Sequence, residues 1–303
     1  AFFKKLLILL FFFKLFIFFL LFTPYRLIFM IINIFSFSFI SLIIFFVIYY
    51  INMKYVIKSK DRINTLSSHT YKLLKSYEVC DTDLYIFVSN EDDLENYCDA
   101  FPNANIKIGD EGIVGIDNFI VDYFNEKEEY IYMNDDISSI SILNINNKLE
   151  KLDTSGFKYL VKKMFSEMNA IDASYCGLYP CDSSLYMSKQ SEQTEDLCLI
   201  IDGFSACINN KNIKLTKFSI GDNWLSDYEK SILHFKDKGI ICRLNKWCFK
   251  GKFFNGIPER NQENHKTNAM EMMEKYPGYI SSVKSKKNGW NSLRFKKISQ
   301  KKF

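Results

Sequence analysis

From Met53 onward the chain alternates between short apolar runs and longer segments whose apolar residues fall three and four apart. These are the patterns of buried strands and amphipathic helices. Strands are predicted at Lys54–Lys58 (KYVIK), Leu84–Ser89 (LYIFVS), Ile106–Ile108 and Tyr130–Met133. Helices are predicted between them. Ile63–Tyr77 carries Leu66, Leu73 and Leu74 on one side. Glu91–Ala100 has acids in its first turn, where the helix dipole favours them. Ile113–Phe124 places Ile113, Ile116, Ile120 and Phe124 at helical spacing. This alternation predicts a parallel α/β sheet. In such sheets ligands bind beyond the carboxyl ends of the strands. That edge would carry Ser59-Lys60-Asp61-Arg62, Ser89-Asn90, Gly109-Asp110 and Asn134-Asp135-Asp136.

The second half is more mixed. Strands are expected at Ser139–Ile145, Leu197–Ile201 and Gly239–Leu244, and a turn at Cys176–Pro180 (CGLYP). Helices are expected at Ser155–Ala170 and at Asn223–Lys238, the latter closed by Gly239. From Val283 the pattern gives way to a basic, polar tail. Residues 1–52 stand apart, holding about half of the 29 phenylalanines. Their apolar runs Leu6–Phe22 and Leu27–Ile51, interrupted by Lys14 and Asn33, approach the roughly 20 residues that cross a bilayer. They read either as a membrane anchor or as translated AT-rich non-coding sequence ahead of a natural start at Met53. The expected organisation is therefore a hydrophobic leader (1–52), an α/β domain (53–281) and a basic tail (282–303).

Charge sharpens this picture. The formal net charge of +4 resides in Lys4, Lys5, Lys14 and Arg26, and the remaining basic residues equal the 35 acidic ones in number. A nucleic-acid partner would need a local patch. The tail offers one in Lys284, Lys286, Lys287, Arg294, Lys296, Lys297, Lys301 and Lys302, with Trp290 and Phe295 able to pack or stack. A solvated, unstructured tail is the alternative. Eight cysteines include no CxxC pair, and none of the three histidines is spaced with them as in a zinc site. They read as reduced thiols, and with no N-x-[ST] sequon this suggests an intracellular protein.

Neither GxGxxG after the first strand nor GxxxxGK[ST] occurs, which disfavours dinucleotide and P-loop chemistry. Asn134-Asp135-Asp136 alone would be a turn. At the end of the fourth strand its oxygens also suit Mg²⁺ or Mn²⁺, which take carboxylate and water ligands and bridge to phosphates. Gly109, Gly112 and Gly115 either lead a loop into a helix or let a phosphate approach a helix N-terminus. Asp227, early in its helix, is a candidate general base, with Asp222 as competitor.

These pieces, in order, resemble the TET/JBP-associated glycosyltransferases, viral and phage enzymes of modified DNA bases related to the base J glucosyltransferase. The matching stretches are KYVIKSKDRINTLSSHTYKLL, LYIFVSNED, GDEGIVGIDNFIVDYF, YIYMNDDI, CGLYP, LCLIIDGFSACINN, SDYEKSILHFKDKGIICRLN, NGIPER and MEKYPGYI. The resemblance implies a GT-A-like, Rossmann-type mixed sheet and a Mn²⁺- or Mg²⁺-dependent hexosyltransferase. The donor would be a UDP-sugar, UDP-glucose first among them, and the acceptor a hydroxymethylated base in DNA. It implies that Asp135 and Asp136, with Asn134, hold the metal. Ser59, Arg62, Asn90, Gly112, Asn118, Asp135, Gly256 and Arg260 would bind the donor, and Asp227 or Asp222 would serve catalysis. Two departures stand out: Asn134 replaces the first of three acids, and Asp117-Asn118 replaces Arg-Asn. Two other readings stay open. One is a membrane-attached transferase acting on lipid or protein, if residues 1–52 are native. The other is a decayed nucleic-acid binder.

Overall fold

β1 (Lys54–Lys58) is buried at Tyr55, Val56 and Ile57, as a strand covered on both faces of a sheet must be. The computed structural model describes residues 53–219, 222–251, 262–285 and 290–298. Residues 1–52, Gly256 and Arg260 lie outside the described residues, and among those described no helix is long and apolar enough to cross a membrane. After β1 the chain forms α1 (Ile63–Leu66), a π-helical turn (Ser67–Tyr71) and α2 (Lys72–Ser76). Then come β2 (Leu84–Val88), α3 (Glu91–Ala100), β3 (Asn105–Ile108), α4 (Gly112–Tyr123) and β4 (Glu129–Asn134). β1 pairs in parallel with β2 and β4, and β2 with β3, so the order is β3-β2-β1-β4. The chain moves outward from β1 to β3 and then crosses to β1's other side. The loops after β1 and β4 thus diverge, opening a crevice at their carboxyl ends.

The second half contains β5 (Ile137–Leu143), β6 (Leu149–Lys151), α5 (Thr154–Ile171), β7 (Tyr175–Tyr179), α6 (Ser184–Met187), β8 (Gln193–Thr194) and β9 (Phe204–Ile208). It continues with α7 (Ser226–Lys238), β10 (Cys242–Gly251), α8 (Gln262–Lys275), β11 (Ile280–Ser285) and β12 (Asn291–Phe295). The sheet runs on as β4-β9-β7-β10-β5-β6, with β8 added to β10. β9 is antiparallel to both neighbours, and β10 is parallel to β7 but antiparallel to β5, which makes the sheet mixed. Helices cover both faces. Tyr55, Ile57, Ile131 and Met133 face Leu66, Leu74, Tyr97, Phe157 and Met164. Val56, Tyr130 and Tyr132 face Ile116, Ile120, Ile232, Phe235 and Met272. Asp153 fixes the start of α5 by accepting from the Gly156 N–H at 2.7 Å.

Two expectations fail for one reason. Leu197–Ile201 is not a strand, and Cys176–Pro180 is not a turn but most of β7. A Cβ at Gly177 would lie 2.3 Å from Cγ2 of Ile200, so the glycine marks a close approach of the 197–201 segment rather than a turn. Side chains satisfy that segment's backbone: Ile200 N–H donates to Ser231 Oγ at 3.1 Å, and Arg243 Nη1 donates to the Leu199 carbonyl at 3.2 Å. The strand comes later, as β9. The segment read as a tail is also partly ordered. Residues 282–285 continue β11, and β12 brings Leu293 onto the core with Val283 and Phe295 beside it.

Candidate functional site

A cleft of about 620 Å³ opens at the β1/β4 crevice, within the size range of small-molecule sites. Lys58, Ser59, Arg62, Gly112, Asn134, Asp135, Asp202, Asp222 and Asp227 line it. Seven of the predicted site residues, from the ends of β1 and β4 and the starts of α4 and α7, therefore meet in one place.

The β1/β4 wall is built by hydrogen bonds. Ser59 Oγ donates to Asp135 Oδ2 at 2.7 Å and lies 2.7 Å from Tyr97 Oη. Arg62 places Nη1 3.0 Å from Asp135 Oδ1 and Nη2 3.6 Å from Asp136 Oδ2. Both aspartates are buried. Burial pushes the Asp135 carboxyl up, against the Ser59 hydrogen bond and the Arg62 charge. Oδ1 of Asp136 is buried and has no hydrogen-bond partner. The turn itself is clamped by Thr70 of the π-helical turn, whose Oγ1 donates to the Asn134 carbonyl at 2.6 Å and accepts from the Ile137 N–H at 2.9 Å. Inserted turns of this kind recur at functional sites.

The opposite wall holds Asp227 and Asp202. Asp227 Oδ1 accepts from the Asp202 N–H at 3.2 Å. Burial first, then the neighbouring Asp202 charge, raise the Asp227 carboxyl to about 7. Beneath it lies a charged cluster. Lys230 bridges Asp117, at 3.3 Å, and Asp202. Lys58 pairs with Asp117 at 3.0 Å, and Tyr132 Oη donates to the same carboxylate at 2.7 Å. Tyr175 Oη donates to Asp202. Burial opposes ionisation of Asp117, but Lys230 and Lys58 outweigh it and hold the pKa low.

Other predicted residues serve the scaffold. Asn90 caps α3, accepting from the Asp93 N–H at 2.7 Å. Asn118 pairs with the Leu215 backbone, donating at 3.0 Å and accepting at 2.7 Å, and does not line the cleft. The α4 N-terminus is occupied from within, because Asp222 accepts from the N–H groups of Ile113 and Val114. Gly112, at φ +83°, permits this approach: a Cβ there would lie 2.6 Å from Asp222 Oδ2. Asp202, Lys230 and Lys58 were not singled out from sequence. Signals pointed to two of them: Asp202 ends an apolar run as Asp135 does, and Lys230 lies three residues after Asp227, on the same helix face.

The site is thus an α/β switch-point cleft with Asp135 on one wall, Asp136 buried beside it, and Asp227 and Asp202 across from them. No family model matches the chain, and no curated protein does. Among solved structures it is similar to S. aureus TarS residues 1–349, at 10% identity and TM-score 0.44, over 74% of this chain and 66% of that one. It is similar to the mannosyltransferase PcManGT of Pyrobaculum calidifontis, solved with GDP-Man and Mn²⁺, at 6% identity and TM-score 0.44, over 74% and 64%. It is also similar to a mycobacterial protein at 10% identity and TM-score 0.45, over 82% and 85%. The chain spans just under two thirds of the first two. At such identities, what the cleft does is decided by its own side chains.

Proposed function

We infer that the chain is a nucleotide-sugar-dependent glycosyltransferase of GT-A type that modifies a hydroxymethylated base in DNA. The observation that carries the reading is the pairing, across one cleft, of Asp135, with Asp136 buried beside it under Arg62, and an Asp227 whose carboxyl is raised to about 7. A divalent ion fits the first wall. Asp136 Oδ1 is a buried oxygen without a partner, and Asp135, Asp136 and the side-chain amide oxygen of Asn134 are hard oxygen donors. Among the described residues no group of three His, Cys, Asp or Glu could hold a metal alone. Donor phosphates and water would complete the shell, as is usual for Mg²⁺ and Mn²⁺. When bound, such an ion neutralises charge developing on a leaving diphosphate.

The chain's own groups account for the rest. Asp227 takes the proton of the acceptor hydroxyl while its oxygen bonds to the anomeric carbon. The bond from that carbon to the phosphate oxygen breaks, and its electron pair leaves with the nucleoside diphosphate. A single displacement of this kind inverts the anomeric centre. Lys60 and Arg62 bring positive charge to the cleft that receives the diphosphate. The DNA acceptor is supported by exposed Lys284, Arg294, Lys296 and Lys297 on and beside the β11–β12 ribbon. Such an acceptor would put the enzyme inside a cell or viral factory.

The test uses the full chain with Mn²⁺ and a panel of UDP- and GDP-sugars, with and without hydroxymethylated DNA, and follows nucleoside diphosphate release. Release that needs both the ion and the modified DNA, with UDP-glucose preferred, is expected. Release indifferent to DNA would remove the acceptor assignment. An absence of both release and nucleotide binding would remove the whole reading.

A further inference from the structure

Arg62 lies on the two carboxylates that a divalent ion would use. Its guanidinium reaches Asp135 at 3.0 Å and Asp136 at 3.6 Å. The backbone at this position is fixed, since the Arg62 N–H donates to Tyr97 Oη at 3.1 Å. The side chain, in contrast, is 32% exposed and lines the cleft. Both carboxylates are nearly inaccessible, at 4% and 6% side-chain exposure. The guanidinium leaves Asp136 Oδ1 unused.

We propose that Arg62 is a displaceable counter-ion: a divalent cation entering on Asp135 and Asp136 expels its guanidinium, which turns to the donor's diphosphate. This rests on the donor-site reading above. A guanidinium and a divalent ion cannot share the same two carboxylates without close like-charge repulsion. Of the two wall lysines that could replace Arg62 at the phosphates, Lys58 is committed to Asp117 at 3.0 Å. Arg62, held at its backbone, swings within the cleft and offers the planar fork that suits phosphate oxygens. The ion therefore binds weakly without nucleotide, and nucleotide binds weakly without the ion. Each strengthens the other by the same factor, as linkage requires.

The experiment titrates the full chain with Mn²⁺, followed by the EPR signal of the free ion, and with UDP, followed by calorimetry. Each ligand is measured alone and in the presence of the other, in wild type, Arg62→Gln and Asp136→Asn. Arg62→Gln should bind Mn²⁺ alone about tenfold more tightly than wild type, and the Mn²⁺–UDP coupling factor should shrink by a similar amount. Its thermal midpoint without ligand should fall, and Mn²⁺ alone should raise it by more than it raises wild type. Asp136→Asn should lose the Mn²⁺ response. Equal Mn²⁺ affinity in wild type and Arg62→Gln, with UDP still binding, overturns the exchange and leaves the donor site standing. Loss of both ligands in wild type itself overturns the donor site and the exchange together.

Discussion

Asp227 and Asp222 both lie near the start of α7 and both line the cleft, yet their surroundings assign them different work. Asp222 is held by the α4 N-terminus, accepting from the N–H groups of Ile113 and Val114. Asp227 lies beside Asp202, and its carboxyl is raised to about 7 by burial and that neighbouring charge. A base needs its deprotonated form, so wild-type turnover should rise with pH through about 7. Stability moves the other way. The folded value exceeds the unfolded one, so this group's contribution is complete below an unfolded pKa of about 4 and is lost as pH climbs through the folded value. Asp227→Asn should therefore cut turnover by about 100-fold or more while raising the thermal midpoint at pH 8 relative to wild type. Asp222→Asn should keep most of the turnover and lower the midpoint. Native turnover in Asp227→Asn, or a flat wild-type pH profile, would take the base role from this residue. Residue types alone made both acids candidates. What separates them comes from elsewhere in the chain: the N–H groups of Ile113 and Val114, more than a hundred positions upstream, for Asp222, and burial beside Asp202 for Asp227.

At the scale of elements, the first half of the sheet is legible because its strands are buried on both faces. KYVIK, LYIFV and EYIYMN read as apolar runs, and α3 begins and ends where its acids and its Asn90 cap place it. The second half is less legible because contacts distant in sequence decide it. Nothing local in LCLII tells a strand from a buried segment whose backbone bonds Ser231 and Arg243. The π-helical turn at Ser67–Tyr71 was also invisible, hidden in a segment that reads as one helix. Its consequence is functional, because the turn aims Thr70 at both sides of the Asp135-Asp136 turn. Thr70→Val keeps the shape and β-branching but removes the hydroxyl. It should cost about 1–3 kcal/mol by stranding the Asn134 carbonyl and the Ile137 N–H. Urea unfolding measures that cost, and Mn²⁺ affinity in the presence of UDP should fall alongside it. A variant with wild-type stability and affinity would show that the clamp is dispensable.

At the scale of the molecule, formal neutrality beyond residue 52 conceals a concentration of charge between the two halves of the sheet. Lys58 comes from β1, Asp117 from α4, Asp202 from the approach to β9 and Lys230 from α7, so one cluster joins the parallel half to the mixed half. Lys230 is its centre. Burial works against its ammonium, yet Asp117 and Asp202 outweigh that and raise its pKa above the ordinary lysine value. The ammonium also lies 4.3 Å from the centre of the Tyr132 ring. Lys230→Met preserves the length of the stem and removes the charge, leaving two buried carboxylates with Lys58 as the one remaining lysine of the cluster. Breaking a buried pair in this way should cost about 3–5 kcal/mol at neutral pH. The pH dependence separates charge from packing. The depressed pKa of Asp117 gives wild type a stability that is present above the unfolded value of about 4 and lost as pH falls through the folded value. Asp117 in Lys230→Met has lost the largest of the charges that hold its pKa down, so the gap between the proteins should be widest near pH 7 and narrow below about 4. Adding Asp202→Asn to Lys230→Met should recover part of the loss at pH 7, because Asp202 is the carboxylate that Lys230→Met strands, whereas Asp117 keeps Lys58. A gap of constant size across the whole range, with no recovery in the double variant, would mean that Lys230 contributes its methylenes alone and that the two halves are joined by packing.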